Sequence, residues 1–316
     1  MPRTVNAREH IHPSAPSSGF DVCVVGHVTR DIVKVGQTTR TIPGGTAYYT
    51  AVVLRRLGLD VAVVTKGAEE DKESLLKELL ANGVTVFWKG GGSTSVFENS
   101  YSGDDLNTRT QVLKSMGTPF LAEDVEGISA SAFHLGPLIQ KDIPFEALKQ
   151  VAKKAKILSL DAQGMVRPAQ LGRVLERDWP AKDKWLKLVH ILKADDAEGF
   201  ILTGERDAER SAAVLCSFGP REVIITLGNR GSVVYTEGTV HKIPGLRPRK
   251  LKDPTGCGDT YMAGYLYERL RGTSPDMAGQ FAAAMATLKL EGTDPCYPLF
   301  AGRLSRSSAE PEEASF

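Results

Sequence analysis

The sequence predicts an α/β fold: a central, mostly parallel sheet with helices on both faces and a small β lid. Three observations carry this. Short runs rich in Val, Ile and Leu alternate with helical stretches over most of the chain. Several of those runs are apolar without interruption, as strands buried on both faces must be. Two stretches, 32–42 and 96–112, break the alternation and are polar on one side, as strands with one wet face are.

The elements follow in order. Residues 20–26 read as a buried strand through Val22, Val24 and Val25. Residues 32–35 and 40–42 read as short strands around a turn. A helix over 46–57 ends at Gly58, and 61–65 is a second buried strand. The spacing of Leu75, Leu76, Leu79 and Leu80 predicts an amphipathic helix over 70–82. A strand over 84–88 is stopped by Gly90-Gly91-Gly92, and 96–101 with 108–112 alternate like a hairpin. Beyond that, strands at 132–135, 157–160, 188–193 and 223–226 alternate with helices, which argues for parallel pairing. Residues 1–19, with Pro13, Pro16 and several Ser, read as a disordered leader, and 303–316 as a disordered tail. The folded body is then 20–302, its lid built from about 32–42 and 96–112.

Composition narrows the class. With 316 residues and 41% hydrophobic content the chain can bury a sizeable core. A formal net charge of +1 gives no long-range attraction for nucleic acid. No apolar run nears the roughly 20 residues a membrane span needs, and no signal-peptide core opens the chain. Cys23, Cys216, Cys257 and Cys296 lie far apart, so neither a zinc site nor a disulfide framework is indicated. The expected setting is the cytoplasm, as a monomer or homodimer, with no membrane or nucleic-acid partner.

The sharpest chemical signal is Asp253-Pro254-Thr255-Gly256-Cys257-Gly258-Asp259-Thr260. A helix follows it, with Tyr261, Met262, Tyr265, Leu266 and Leu270 spaced to bury one face. Gly256 and Gly258 let the backbone turn tightly and aim its N–H groups together at the start of that helix, a cradle for a phosphoryl group. An acid just after such a cradle repels the anion, so Asp259 reads either as a base for a substrate hydroxyl or as a helix cap.

This segment resembles the carboxy-terminal signature of the ribokinase/PfkB carbohydrate kinases, with Cys257 where Ala is common. Four further matches occur in that family's order. Gly26 through Asp31 is similar to its first strand and substrate-binding acid. Pro43-Gly44-Gly45-Thr46-Ala47 resembles its di-glycine motif. Asp195-Asp196-Ala197-Glu198 resembles its Asn-x-x-Glu motif. Thr226-Leu227-Gly228 with Gly231 resembles its nucleotide-side loop. The resemblance implies a Rossmann-like, ribokinase-like core with a β lid, ATP and Mg²⁺, and often a stimulating K⁺. It assigns Asp259 as base and the amides of Gly256, Cys257 and Gly258 to the transferring group. The acceptor falls to Asp31, Gly44, Gly45, Tyr49 and Asp259, with Arg109 on the lid gripping a hydroxyl or phosphate, or forming a surface ion pair. ATP falls to Asp195, Glu198, Thr226, Gly228, Gly231, Thr255, Gly256 and Gly258. Glu198 would hold Mg²⁺ through water, and Asp253 and Thr255 match positions for K⁺.

Two departures qualify this. Asp195 replaces the usual Asn and adds negative charge beside the phosphates. Tyr49 stands where sugar kinases carry a polar Asn, which argues against ribose. Gly44 to Tyr49, Leu192-Lys193-Ala194 and Asn107 to Leu113 resemble the inositol-kinase branch. The expected reaction is therefore transfer of the ATP γ-phosphoryl to an alcohol of a small polyol or sugar, with myo-inositol or a similar cyclic polyol favoured, and Tyr48 and Tyr49 facing the acceptor. A nucleoside or other sugar kinase is the alternative within the class, and a non-catalytic metabolite sensor the alternative outside it. No G-x-x-x-x-G-K-[ST] P-loop is present, and no G-x-G-x-x-G follows the first strand.

Overall fold

A computed structural model describes residues 19–101 and 109–292. The expected leader and tail lie outside the described residues, but for Gly19. The chain opens with β1 (Phe20–Val25), β2 (Thr29–Val35) and β3 (Thr38–Gly44), then α1 (Thr46–Arg56), β4 (Val61–Lys66), α2 (Lys72–Ala81) and β5 (Thr85–Lys89). Next come β6 (Val96–Tyr101), β7 (Arg109–Ser115), β8 (Ala130–Leu135), α3 (Phe145–Ala152), β9 (Ile157–Asp161), the two-residue β10 (Gly172–Arg173) and α4 (Lys182–Leu186). The remainder is β11 (Ile191–Asp195), α5 (Asp196–Thr203), α6 (Ala208–Ser217), β12 (Glu222–Thr226), β13 (Ser232–Thr236), β14 (Thr239–Ile243), α7 (Cys257–Leu270) and α8 (Pro275–Glu291).

Nine strands make the large sheet, in the order β14-β13-β12-β11-β9-β8-β1-β4-β5. It is parallel from β12 through to β5 and ends in the antiparallel β12-β13-β14 meander. The apolar runs that predicted it are buried on both faces: every residue of β4 is buried, and β1 is buried but for Asp21. Separate apolar clusters cover its two sides, one around Phe133, Leu160 and Val223, the other around Val24, Leu54, Val63 and Tyr265. β11 starts later than the 188–193 expected. The N–H groups of Leu188 and Val189 donate to Trp185 and Leu186 and close the turn after α4, so the strand runs on to Asp195 instead.

The two stretches that broke the alternation form a five-stranded sheet, β10-β7-β6-β2-β3. β2 and β6 pair in parallel and join them, and β10 adds an edge the sequence reading did not anticipate. The chain passes from β1 into β2 across Gly26 to Val28, so the smaller sheet hangs from an interior strand of the larger one. The chain runs outward from β1 in both directions, to β4 and β5 on one side and to β8, β9, β11 and β12 on the other. In an open α/β sheet a ligand crevice lies at such a switch point, beyond the carboxyl ends of the strands. Among the described residues no helix is long and apolar enough to cross a membrane.

Candidate active site

A cleft of about 500 Å³ lies at those carboxyl ends. Asp161 ends β9, Asp195 ends β11 and Thr226 ends β12, and all three line it. From the other side come Asp31 on β2, Phe97 on β6 and Gln111 on β7. Between the two groups sits the start of α7.

The cradle forms as the glycines require. Gly256 precedes α7 with φ +78°, a backbone position that L side chains rarely adopt. A Cβ there would lie 2.5 Å from the Tyr49 ring, so Tyr49 and Gly256 exclude any other residue at 256. A Cβ on Gly258 would stand 3.1 Å from the Lys193 ammonium, so that glycine keeps the approach to Lys193 open. Asp259 lies in the first turn of α7, two residues after its first position, Cys257. The Thr46 side chain beside it favours the ionised carboxylate. Burial, then the Asp161 charge, raise its pKa to about 6, against the opposing pull of Lys193 and Arg167. That places a proton acceptor near neutrality, as base catalysis requires. The Cys257 thiol is pushed up to about 12, chiefly by burial, and is no nucleophile.

Beneath the cradle lies an ion pair the sequence reading missed. The Lys193 ammonium donates to Asp161 Oδ2 at 2.8 Å, and both residues are buried. Burial opposes both charges, yet Asp161 holds the ammonium above its usual pKa and Lys193 holds the carboxyl below its own. A lysine within an apolar strand, and an acid at the carboxyl end of another, were the signals available. At the ends of β11 and β12, the Asp195 carboxylate accepts from the Glu198 N–H at 2.8 Å and the Glu198 carboxylate from the Asp195 N–H at 2.9 Å. This capping box fixes both acids at the start of α5. Burial, then the Asp195 charge, raise the Glu198 pKa to about 8. Here the departure from Asn has a cost, for the extra charge weighs on Glu198. No cluster of three or more His, Cys, Asp or Glu side chains that could hold a metal ion directly occurs among the described residues. Hard carboxylate oxygens facing a phosphate cradle do suit a hydrated Mg²⁺, which keeps most of its waters. Its charge would favour the ionised form of Glu198.

At the opposite end a chain of polar side chains crosses the smaller sheet. The Asn99 amide is 3.4 Å from Asp31 Oδ2, Gln111 donates to Asn99 Oδ1 at 2.9 Å, and Arg167 donates to Gln111 Oε1 at 3.3 Å. Thr29 donates to Asp31 Oδ1 at 2.7 Å. Phe97 and Leu138 supply apolar wall. Gln111 lies in the Asn107 to Leu113 stretch that resembled the inositol-kinase branch but was given no role of its own, and Asn99 and Arg167 come from distant stretches with no motif, so pattern reading did not find them.

The expected site residues divide. Asp31, Gly45, Tyr49, Asp195, Glu198, Thr226, Gly228, Thr255, Gly256, Cys257, Gly258 and Asp259 line the cleft, whereas Gly44, Gly231 and Asp253 do not. A Cβ on Gly44 would strike Asp31 Oδ2 at 2.6 Å, so that glycine makes room for the acid behind it. Gly231, at φ +95°, lets its turn close on the Ile243 carbonyl, which a Cβ would meet at 2.0 Å. Asp253 is turned toward α8, where its Oδ2 lies 3.7 Å from Lys289. Tyr48 points away from the cleft and its hydroxyl donates to Glu78, because successive helix residues diverge by about 100°. Arg109 opens β7, with its side chain outside the described residues, as are Asn107 and Thr108.

Comparison with known proteins agrees with this arrangement. The family model described as pfkB family carbohydrate kinase matches residues 20–299. A cytidine kinase of Thermococcus kodakarensis is 30% identical over 264 residues, 80% of this chain and 90% of its own. A nucleoside kinase of Methanothermobacter thermautotrophicus is 28% identical over 305 residues, 87% of this chain and 91% of its own. Among solved structures, a pyrophosphate-dependent kinase of the ribokinase family, complexed with a pyrophosphate analog and myo-inositol, superposes with TM-score 0.80 at 29% identity, covering 88% of this chain and 97% of that one. A nine-stranded core, a cleft at its strand ends and a family model spanning nearly the whole described chain agree, and the chain belongs to the PfkB family of carbohydrate kinases.

Proposed function

We propose that this kinase transfers the γ-phosphoryl group of ATP to a hydroxyl of a small cyclic polyol or sugar, with myo-inositol the favoured acceptor and Asp259 the base. The observation that carries the reading is the position of Asp259. It sits on the first turn of α7, in one cleft with an acceptor-like end at Asp31 and a phosphate-like end at Gly256 and Glu198. The Asp259 carboxylate would take the hydroxyl proton as the new P–O bond forms, and the helix-start amides of Gly256, Cys257 and Gly258 would take up charge on the moving group. Lys193 adds a fixed positive charge beside Gly258. Mg²⁺ bound with ATP would neutralise phosphate charge, with Glu198 holding one of its waters. Thr226 and Gly228 would lie against the donor, while Asp31, Gln111 and Arg167 offer acceptors and donors to several hydroxyls at once. The smaller sheet would act as the lid, excluding water that would compete for the phosphoryl group. ATP and reduced, dispersed cysteines both suit a cytoplasmic location.

A second acceptor reading, a nucleoside, is favoured by the names of the cytidine and nucleoside kinases above. The donor has a rival too, since the myo-inositol complex belongs to a pyrophosphate-dependent enzyme. One experiment addresses both: kcat/KM for myo-inositol, ribose, fructose, cytidine and adenosine, each with ATP and with pyrophosphate. The expected result is highest turnover with myo-inositol and ATP. A nucleoside as best acceptor overturns the polyol reading, and turnover confined to pyrophosphate overturns the donor reading.

A further inference from the structure

Near the end of α8 stands a lysine that the reaction does not use. Lys289 is 2% exposed, and its ammonium faces the loop that leads into α7. Nζ lies 3.4 Å from the Asp253 carbonyl oxygen and 3.7 Å from Asp253 Oδ2. It also stands 6.0 Å from the centroid of the Tyr49 ring, the same ring that fits against Gly256. The other Asp253 carboxylate oxygen accepts from the Thr255 N–H at 2.9 Å. Around these contacts the loop is bound to α8: the Lys252 N–H donates to the Leu290 carbonyl at 2.8 Å, and the Cys257 thiol is 3.8 Å from the Ala286 carbonyl.

A buried lysine is costly unless its charge is matched. The helix end favours a cation there, but a solvated lysine would satisfy the dipole equally well, so the dipole does not explain the burial. What the burial does achieve is to set one positive charge against a carbonyl and a carboxylate of the residue that begins the catalytic loop. Those are hard oxygen donors of the kind a monovalent metal ion takes, and family resemblance assigned such an ion to Asp253 and Thr255. The residues present do not fit an added ion. A second cation beside Asp253 would meet the fixed ammonium at close range and would have to share the same oxygens.

We propose that the Lys289 ammonium is the built-in cation of this loop, so that the Asp253–Gly256 segment is held in place without K⁺. An ammonium carries three donors and one charge, and here it is supplied by the chain itself. Tethering removes the need to recruit an ion from solution and makes the order of the loop independent of salt composition. Lys289 is thus a positioning residue, acting on Gly256 through Asp253 and Tyr49. That the loop serves catalysis rests on the kinase mechanism proposed above, whereas its dependence on cations does not.

The test is thermal melting of the full chain in KCl, NaCl and tetramethylammonium chloride at equal ionic strength. The wild type is expected to melt at the same temperature in all three salts. Lys289→Ala leaves the half-buried Asp253 carboxylate without its cation. It is expected to melt about 5 °C or more lower in tetramethylammonium chloride, and to regain much of the loss in KCl, because a free ion then takes the vacated place. If Lys289→Ala does not fold, Lys289→Gln keeps the length and a donor while removing the charge, and is read in the same salts. A wild-type melting temperature raised specifically by K⁺ overturns the proposal, as does a variant that loses stability equally in every salt. Initial rates of the wild type with ATP and each acceptor give the second readout and are expected not to change between KCl and tetramethylammonium chloride. A flat melting response with no phosphoryl transfer to any acceptor supports the built-in cation and removes the kinase mechanism instead.

Discussion

The two ends of the cleft are built on different principles. The proposed phosphate end is local: a left-handed Gly256 and the first backbone amides of α7, with the Asp195–Glu198 capping box at the start of α5, each set by a few consecutive residues. The proposed acceptor end is made of side chains, Asp31, Asn99, Gln111 and Arg167, that meet only because β2, β6 and β7 pair and a distant loop folds against them. Backbone recognition is indifferent to most side-chain change and suits an invariant group such as a phosphate. Side-chain recognition can be altered one residue at a time and suits an acceptor that differs between relatives. The named relatives fit that contrast, with cytidine kinase and myo-inositol-bound kinase sharing one framework.

Perturbations should therefore separate the two ends. The largest effect is expected from Asp259→Asn, which should lower kcat by about 10²–10⁴ while leaving ATP binding near normal by calorimetry. A kcat close to wild type would remove Asp259 from the chemistry. Next comes Lys193→Met, which strands Asp161 as a buried, unpaired charge and should cost about 3–5 kcal/mol in urea unfolding. The double variant Lys193→Met with Asp161→Leu should recover much of that loss. By contrast Arg230→Ala, which breaks an exposed pair with Asp196, should cost under about 1 kcal/mol.

At the acceptor end, Asp31→Ala should raise the acceptor KM by about tenfold to a hundredfold and leave the ATP KM unchanged, since an unpaired buried contact costs roughly 1–3 kcal/mol. An ATP KM that rises instead would mean that the two ends are not separate. The smallest effect concerns pH. With the Asp259 pKa raised to about 6 and its ionised form the active one, kcat/KM should fall as pH drops through about 6. A profile flat down to pH 5 would place the proton acceptor elsewhere.

What was readable beforehand follows the same division. The alternation of apolar runs predicted the parallel sheet because a strand buried on both faces must be apolar throughout, and β4 is. The glycine cradle and Asp259 were readable because adjacent residues carry both the turn and the acid. The pairing of Lys193 with Asp161 escaped notice because the two lie 32 residues apart, and nothing in either neighbourhood records the other. Tyr49 was expected to face the acceptor; it lines the cleft, and the structure also seats its ring against Gly256, a contact that needs α1 and α7 side by side.

The sequence alone determined the fold class, the order of most of its elements, the glycine turn before α7 and the acid on its first turn, because each rests on periodicity or on conformations fixed within a few residues. Only the tertiary structure decided the Asp161–Lys193 pair, the polar chain from Asp31 to Arg167, the turn of Asp253 toward Lys289 and the true surroundings of Gly44 and Gly231. Those depend on which strands pair and in what register, and a contact between segments far apart in the chain leaves no local trace in either one.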